Sequence, residues 1–154
     1  MIRKIADLTK AEVSIGQDKP DRRNRSCVMR GIGFKECTAV KVSELKEALG
    51  AKVLNEGVDL SGEVRSAYVC DLLSWAMAKA APATAWITVM NHMNVIAVAT
   101  LLDMACVVIP ENIPIERETL DKAAEEGIPV LSSEKTAYEI AGILYKLGLS
   151  NPVR

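Results

Sequence analysis

Residues 84–110, TAWITVMNHMNVIAVATLLDMACVVIP, constrain the fold more than any other part of the chain. Thr84 to Met90 is apolar and β-branched without polar alternation, the pattern of a strand covered on both faces. A polar corner follows at Asn91, His92 and Asn94, holding the only histidine of the sequence. The stretch from Asn94 through Leu102 is then almost wholly apolar, which predicts a helix buried by more than one neighbour. Ala105 to Ile109 reads as a second buried strand. Strand, helix and strand in so short a span require parallel strands joined by a crossover.

The segments on either side extend the alternation. Val40 to Val42 predicts a short strand, and Ser43 an N-cap for a helix carrying Leu45, Ala48 and Leu49, closed by Gly50. Ala51 to Leu54 predicts another short strand. After a turn-rich passage, Val64 to Cys70 predicts a strand ending at Asp71, and residues 72–80 a helix ended by Pro82. Glu116 to Glu126 predicts a charged helix with Leu120, Ala123 and Ala124 inward, stopped by Gly127 in the left-handed conformation. Val130 and Leu131 predict a last short strand. Ser133 predicts the cap of a final helix whose inner side carries Ala137, Ile140, Ala141, Leu144 and Leu147. The expected architecture is a three-layer α/β/α sandwich with a mostly parallel central sheet.

Hydrophobic residues at 49% suffice for one packed domain, while aromatics at 4% leave little for stacking on bases, so no nucleic-acid partner is expected. Residues 1–38 carry nine Lys/Arg against five Asp/Glu, and the remainder ten against fifteen. Together with the irregular pattern of residues 14–38, this marks residues 1–38 as a basic N-terminal extension, residues 39–150 as the domain and 151–154 as a tail. The longest apolar run, Val95 to Leu102, is far short of the roughly 18 residues of a membrane span, and Met1-Ile-Arg-Lys leads into no apolar signal region. A cytoplasmic protein without a membrane partner is expected. Cys27, Cys37, Cys70 and Cys106 lack C-x-x-C spacing and read as reduced thiols rather than a disulfide or metal set.

No G-x-x-x-x-G-K-[ST], no strand-linked G-x-G-x-x-G, no G-x-S-x-G and no H-E-x-x-H occurs, which argues against an enzyme of a common class and implies no cofactor. The remaining chemistry is positional. In open parallel sheets ligands bind beyond the carboxyl ends of the strands, close to helix N-termini that favour anions. Those ends carry Asp71, then Asn91, His92 and Asn94, then Glu111 and Asn112. The last corner adds Ser132, Ser133 and Thr136. Of these, Asp71, His92, Asn94, Asn112, Ser132, Ser133 and Thr136 form the candidate ligand site, although Asn, Ser and Asp also cap helices without binding anything. His92 admits two readings, a corner histidine bonded to a backbone carbonyl or a sensor that titrates near neutral pH. Catalysis would need Asp71 within hydrogen-bond reach of it. Trp75, Trp86 and the methionines 77, 90, 93 and 104 read as packing or interface residues, and the small apolar helix LLSWAMAKA as a self-association surface, so a homodimer is expected.

The segments VKVSELKEALGAKVL, AYVCDLLSWAM, ITVMNHMNVIAVATL and EEGIPVLSSEKTAYEIAGILYKLGL together resemble the DRTGG domain over residues 40–149. The most specific pieces are Asp71-Leu-Leu-Ser and His92-x-Asn94 followed by V-I-A-V-A. Where the motif that names the family would fall, the chain reads Leu60-Ser-Gly-Glu-Val-Arg-Ser-Ala67. The resemblance implies a fold akin to the N-terminal domain of HPr kinase/phosphorylase, without that enzyme's catalytic part. It also implies a regulatory, dimer-forming role: sensing a nucleotide or phosphorylated metabolite, or docking on a metabolic or redox enzyme such as a hydrogenase system. A pure assembly domain without a ligand is the alternative, and a small enzyme using Asp71 and His92 a more distant one.

Overall fold

The computed structural model describes residues 39–151; the arm at 1–38, with Cys27 and Cys37, lies outside the described residues. Seven strands and five helices follow in order: β1 (Val40–Lys41), α1 (Val42–Leu49), β2 (Lys52–Val53), β3 (Glu63–Val64), β4 (Ser66–Val69), α2 (Leu73–Lys79), β5 (Thr84–Ile87), α3 (Met93–Leu101), β6 (Cys106–Ile109), α4 (Arg117–Glu125), β7 (Val130–Ser132) and α5 (Ala137–Lys146). The main sheet has the order β2-β7-β6-β5-β4, with β4 to β7 mutually parallel and β2 antiparallel to β7. The α/β sandwich expected from the sequence is therefore the observed architecture.

Layering follows from the strand order. Each step from β4 to β7 moves the same way across the sheet, so crossovers of one hand place α2, α3 and α4 on one face. The opposite face is left to α1 and α5. Two separate cores result. Leu45 and Leu49 of α1 and Ile140 and Leu144 of α5 pack with Ile87, Val108 and Leu131. On the other side Trp86, Val107, Ile109 and Val130 meet Val95, Ile96 and Ala99 of α3 and Ala123 of α4. Thr84 to Ile87 and Cys106 to Ile109 are buried at every position, as strands sandwiched between helix layers must be.

Several local expectations change. The run from Val64 to Cys70 is not one strand. β3 pairs antiparallel with β1 in a two-stranded sheet, and β4 joins the main sheet after a break at Arg65, whose N–H donates to Ala83 O at 2.8 Å. Ser43 lies inside α1, whose N-cap is Lys41, with the Glu44 carboxylate accepting from the Lys41 N–H at 2.9 Å. Ser133 does not cap the last helix; Thr136 does, in a reciprocal box with Glu139. On α4 Thr119 and Ala123 are buried while Ala124 is exposed. Gly50 and Gly127 do adopt left-handed conformations after α1 and α4, at φ 61 and 68.

Candidate functional site

The carboxyl ends of β4 to β7 lie along one edge of the sheet, and the corner after each strand is tied to its neighbours by side chains. Asp71, just past β4, accepts at Oδ1 from the Thr88 hydroxyl at 2.8 Å and from the Val89 N–H at 2.9 Å, both just past β5. Asn91 donates from Nδ2 to Pro114 O at 3.0 Å and so joins the β5–α3 corner to the loop before α4. Asn112 accepts at Oδ1 from the Ser132 hydroxyl at 3.3 Å, joining the ends of β6 and β7. These bonds explain why Asp and Asn sit at the corners: short polar side chains reach backbone groups that the ended strands no longer pair.

The candidate residues therefore divide into three groups. Asp71 belongs with Thr88 and Val89. His92 and Asn94 stand at the start of α3, both exposed. Asn112 and Ser132 form a third group with the backbone of residues 133–135, since Asn112 N donates to Ser133 O at 2.9 Å and Glu111 N to Lys135 O at 3.0 Å. Ser133 itself faces inward, 1% exposed, its hydroxyl donating to Leu49 O at 3.3 Å. Thr136 is occupied by the cap of α5.

His92 is the N-cap residue of α3, yet no side chain caps that helix. The imidazole makes no hydrogen bond to a described residue, so the reading of a corner histidine tied to a backbone carbonyl does not hold. No bond joins it to Asp71 among the described residues. In the first turn of α3 the Val95 N–H donates to His92 O at 3.0 Å, so the uncapped N–H groups at this helix end are those of Met93 and Asn94, beside the exposed His92 and Asn94 side chains, where an anion is favoured.

The rim also stores strain. Glu111 and Asn112 are consecutive non-glycine residues at φ 57 and 49. The two bonds from their N–H groups and the Ser132 hydroxyl hold them there. Sequence reasoning placed both residues at the corner but missed their conformation and missed Thr88, whose partner lies 17 positions away.

A separate groove of about 420 Å³ lies between α4 and the turn after β2, lined by Leu54, Asn55, Glu56, Arg117, Leu120 and Asp121 among others. Its wall is fixed by Asn55, 3% exposed, which donates to Ile128 O at 2.8 Å and accepts from Val130 N at 2.9 Å. Among the described residues no helix is long and apolar enough to cross a membrane. Cys70 is partly buried and Cys106 fully buried, both as free thiols. Burial pushes the Cys106 thiol up to about 12.

Comparison with known proteins agrees with this geometry. The crystal structure of the CBS and DRTGG domains of the regulatory region of Clostridium perfringens pyrophosphatase, complexed with its activator diadenosine tetraphosphate, shares the fold with a TM-score of 0.56 at 13% identity. The match covers 73% of this chain and 48% of that one, so this chain spans about half the length of that structure. No curated protein matches the chain. The family model for the DRTGG domain matches residues 44–147, most of the described chain. The chain belongs to the DRTGG domain family.

Proposed function

We propose that this chain is a non-catalytic regulatory module, a homodimer that binds a nucleotide or phosphorylated metabolite at the strand-end rim and passes that state to a metabolic or redox enzyme. The observation that carries this reading is the uncapped N-terminus of α3, placed between the polar corners after β5 and β6 with His92 and Asn94 exposed beside it. Anions are stabilised where unpaired backbone N–H groups and the positive end of a helix coincide. The nucleotide activator of the Clostridium perfringens regulatory region supports the ligand class.

The reading of a pure assembly domain draws on a different observation. Asp71 Oδ1 and the hydroxyls of Ser133 and Thr136 are engaged by the protein's own backbone and neighbouring side chains, leaving fewer groups for a ligand. A thermal-shift series with diadenosine tetraphosphate, ATP and phosphorylated sugars separates the two. Ligand sensing predicts a melting temperature that rises with concentration for one of these anions and a smaller rise in His92→Ala/Asn94→Ala. No rise with any of them would leave assembly alone. Hydrolysis or transfer by the unsubstituted chain, lost in His92→Ala, would instead establish an enzyme.

A further inference from the structure

We infer that the groove beside α4 is a second effector site, which takes a free α-amino acid with an apolar side chain. The groove arises where the helical layer ends. α4 is the last of the three helices on its face, and β2 lies outermost in the sheet, beyond β7. The turn after β2 and the near side of α4 therefore face each other across an open space of about 420 Å³. That volume falls within the roughly 300–1,000 Å³ of small-molecule sites. Both walls are fixed without a ligand. Asn55 ties the turn to Ile128 and Val130, and the Asn91 amide holds Pro114 O, next to Ile115 at the other wall. A site formed in advance avoids the cost of ordering its walls on binding.

The lining selects the class of ligand. Leu54, Ile115 and Leu120 supply apolar surface, each only partly exposed, which suits one small side chain better than a flat partner surface. Glu56, Arg117 and Asp121 line the same groove. Arg117 makes no hydrogen bond to a described residue. Its Nε lies 3.9 Å from Asp121 Oδ2 with both side chains exposed, a contact worth little. Lys122 of the same helix, by contrast, is already paired with Glu125 and Glu126. A ligand bearing only a carboxylate or a phosphate would meet two carboxylates for one guanidinium, and one bearing only an amine would be repelled by that guanidinium. An α-amino acid answers both signs. Its carboxylate matches the fork of Arg117, its ammonium faces Glu56 and Asp121, and its side chain covers the leucines. The groove thus differs in preference from the anion-binding rim and does not depend on it.

Titrating the isotope-labelled full chain with L-leucine at millimolar concentration is expected to give saturable amide shifts at residues 54–56 and 115–124 and none at 92–95. Isopentylamine and isocaproate each keep the leucine side chain and lack one of its two charges. Both should bind roughly tenfold more weakly than leucine or worse, as loss of a charged hydrogen bond implies. Arg117→Gln, a change at a side chain 91% exposed, should weaken leucine binding by about as much and leave the melting temperature of the free protein unchanged. The absence of saturable shifts with leucine overturns the inference, as do shifts confined to other parts of the domain. It is equally overturned if either half-ligand binds as tightly as leucine, a comparison that needs no variant, or if Arg117→Gln binds leucine unimpaired. Leucine binding in the groove of a chain that no nucleotide shifts at the rim would uphold this site and remove the other.

Discussion

Asp71 Oδ1 accepts from the Val89 N–H at 2.9 Å, so a carboxylate at the end of β4 fixes the backbone at the end of β5. The same oxygen takes the Thr88 hydroxyl, making one side chain the fastener of two adjacent corners. Asp71→Ala should lower stability by about 1–3 kcal/mol, the range for losing bonds to a charged acceptor. Chemical denaturation checks this. Thr88→Val, which removes the hydroxyl but keeps the Val89 bond, should cost less than Asp71→Ala.

Asn55 joins the turn after β2 to the start of β7 through bonds to Ile128 O and Val130 N. Its replacement by Ala would leave a buried carbonyl and a buried N–H without partners, at about 1–3 kcal/mol for each group. Asn55→Ala is therefore expected to be among the most damaging polar substitutions in the domain, and urea unfolding would read it directly.

The Thr136–Glu139 box gives α5 a pH dependence. The Thr136 N–H, followed by the Thr136 hydroxyl, holds the Glu139 carboxyl below its ordinary range. A depressed carboxyl contributes stability that is present above its unfolded pKa and lost as pH falls through the folded one. The melting temperature should thus fall more steeply with acidification in the unsubstituted chain than in Glu139→Gln. Thr136→Ala should cost about 1 kcal/mol at neutral pH, as the loss of an N-cap does.

Glu111 at φ 57 is a β-carbon-bearing residue in a region that disfavours one. Glu111→Gly should relieve that strain and raise stability by about 0.5–1 kcal/mol, after the greater freedom of glycine in the unfolded chain is deducted. Unchanged or lower stability would show that the turn is held without strain.

The architecture was legible where the signal is local and repeated. The apolar run of residues 84–109 and the stops at Gly50 and Gly127 specify their own burial and conformation, so the sandwich and the C-terminal ends of α1 and α4 follow from them. The break at Arg65 was not legible, because Val64 and Ser66 suit a strand equally well whichever sheet supplies the partner. The cap of α5 was readable in Thr136-x-x-Glu139, but Ser133 offered a competing hydroxyl whose burial depends on α1, 84 positions away. Met77 and Met93, read as packing, are 41% and 46% exposed, since nothing in a short apolar helix says whether a second layer covers it. At the site, the polar corners named from the sequence follow the carboxyl ends of the parallel strands β4 to β7. It could not show that Asp71, Ser133 and Thr136 bond to their own neighbours while His92 and Asn94 remain open.

The rim around the start of α3 is expected to receive an anionic metabolite. Titrating isotope-labelled full chain with diadenosine tetraphosphate and with ATP, followed by amide chemical shifts, addresses it residue by residue. Binding at the rim predicts saturable shifts at residues 92–95 together with the neighbouring corners at 111–112 and 132–135. Saturable shifts confined to 54–56 and 117–124, along the α4 groove, or none at all, would contradict it.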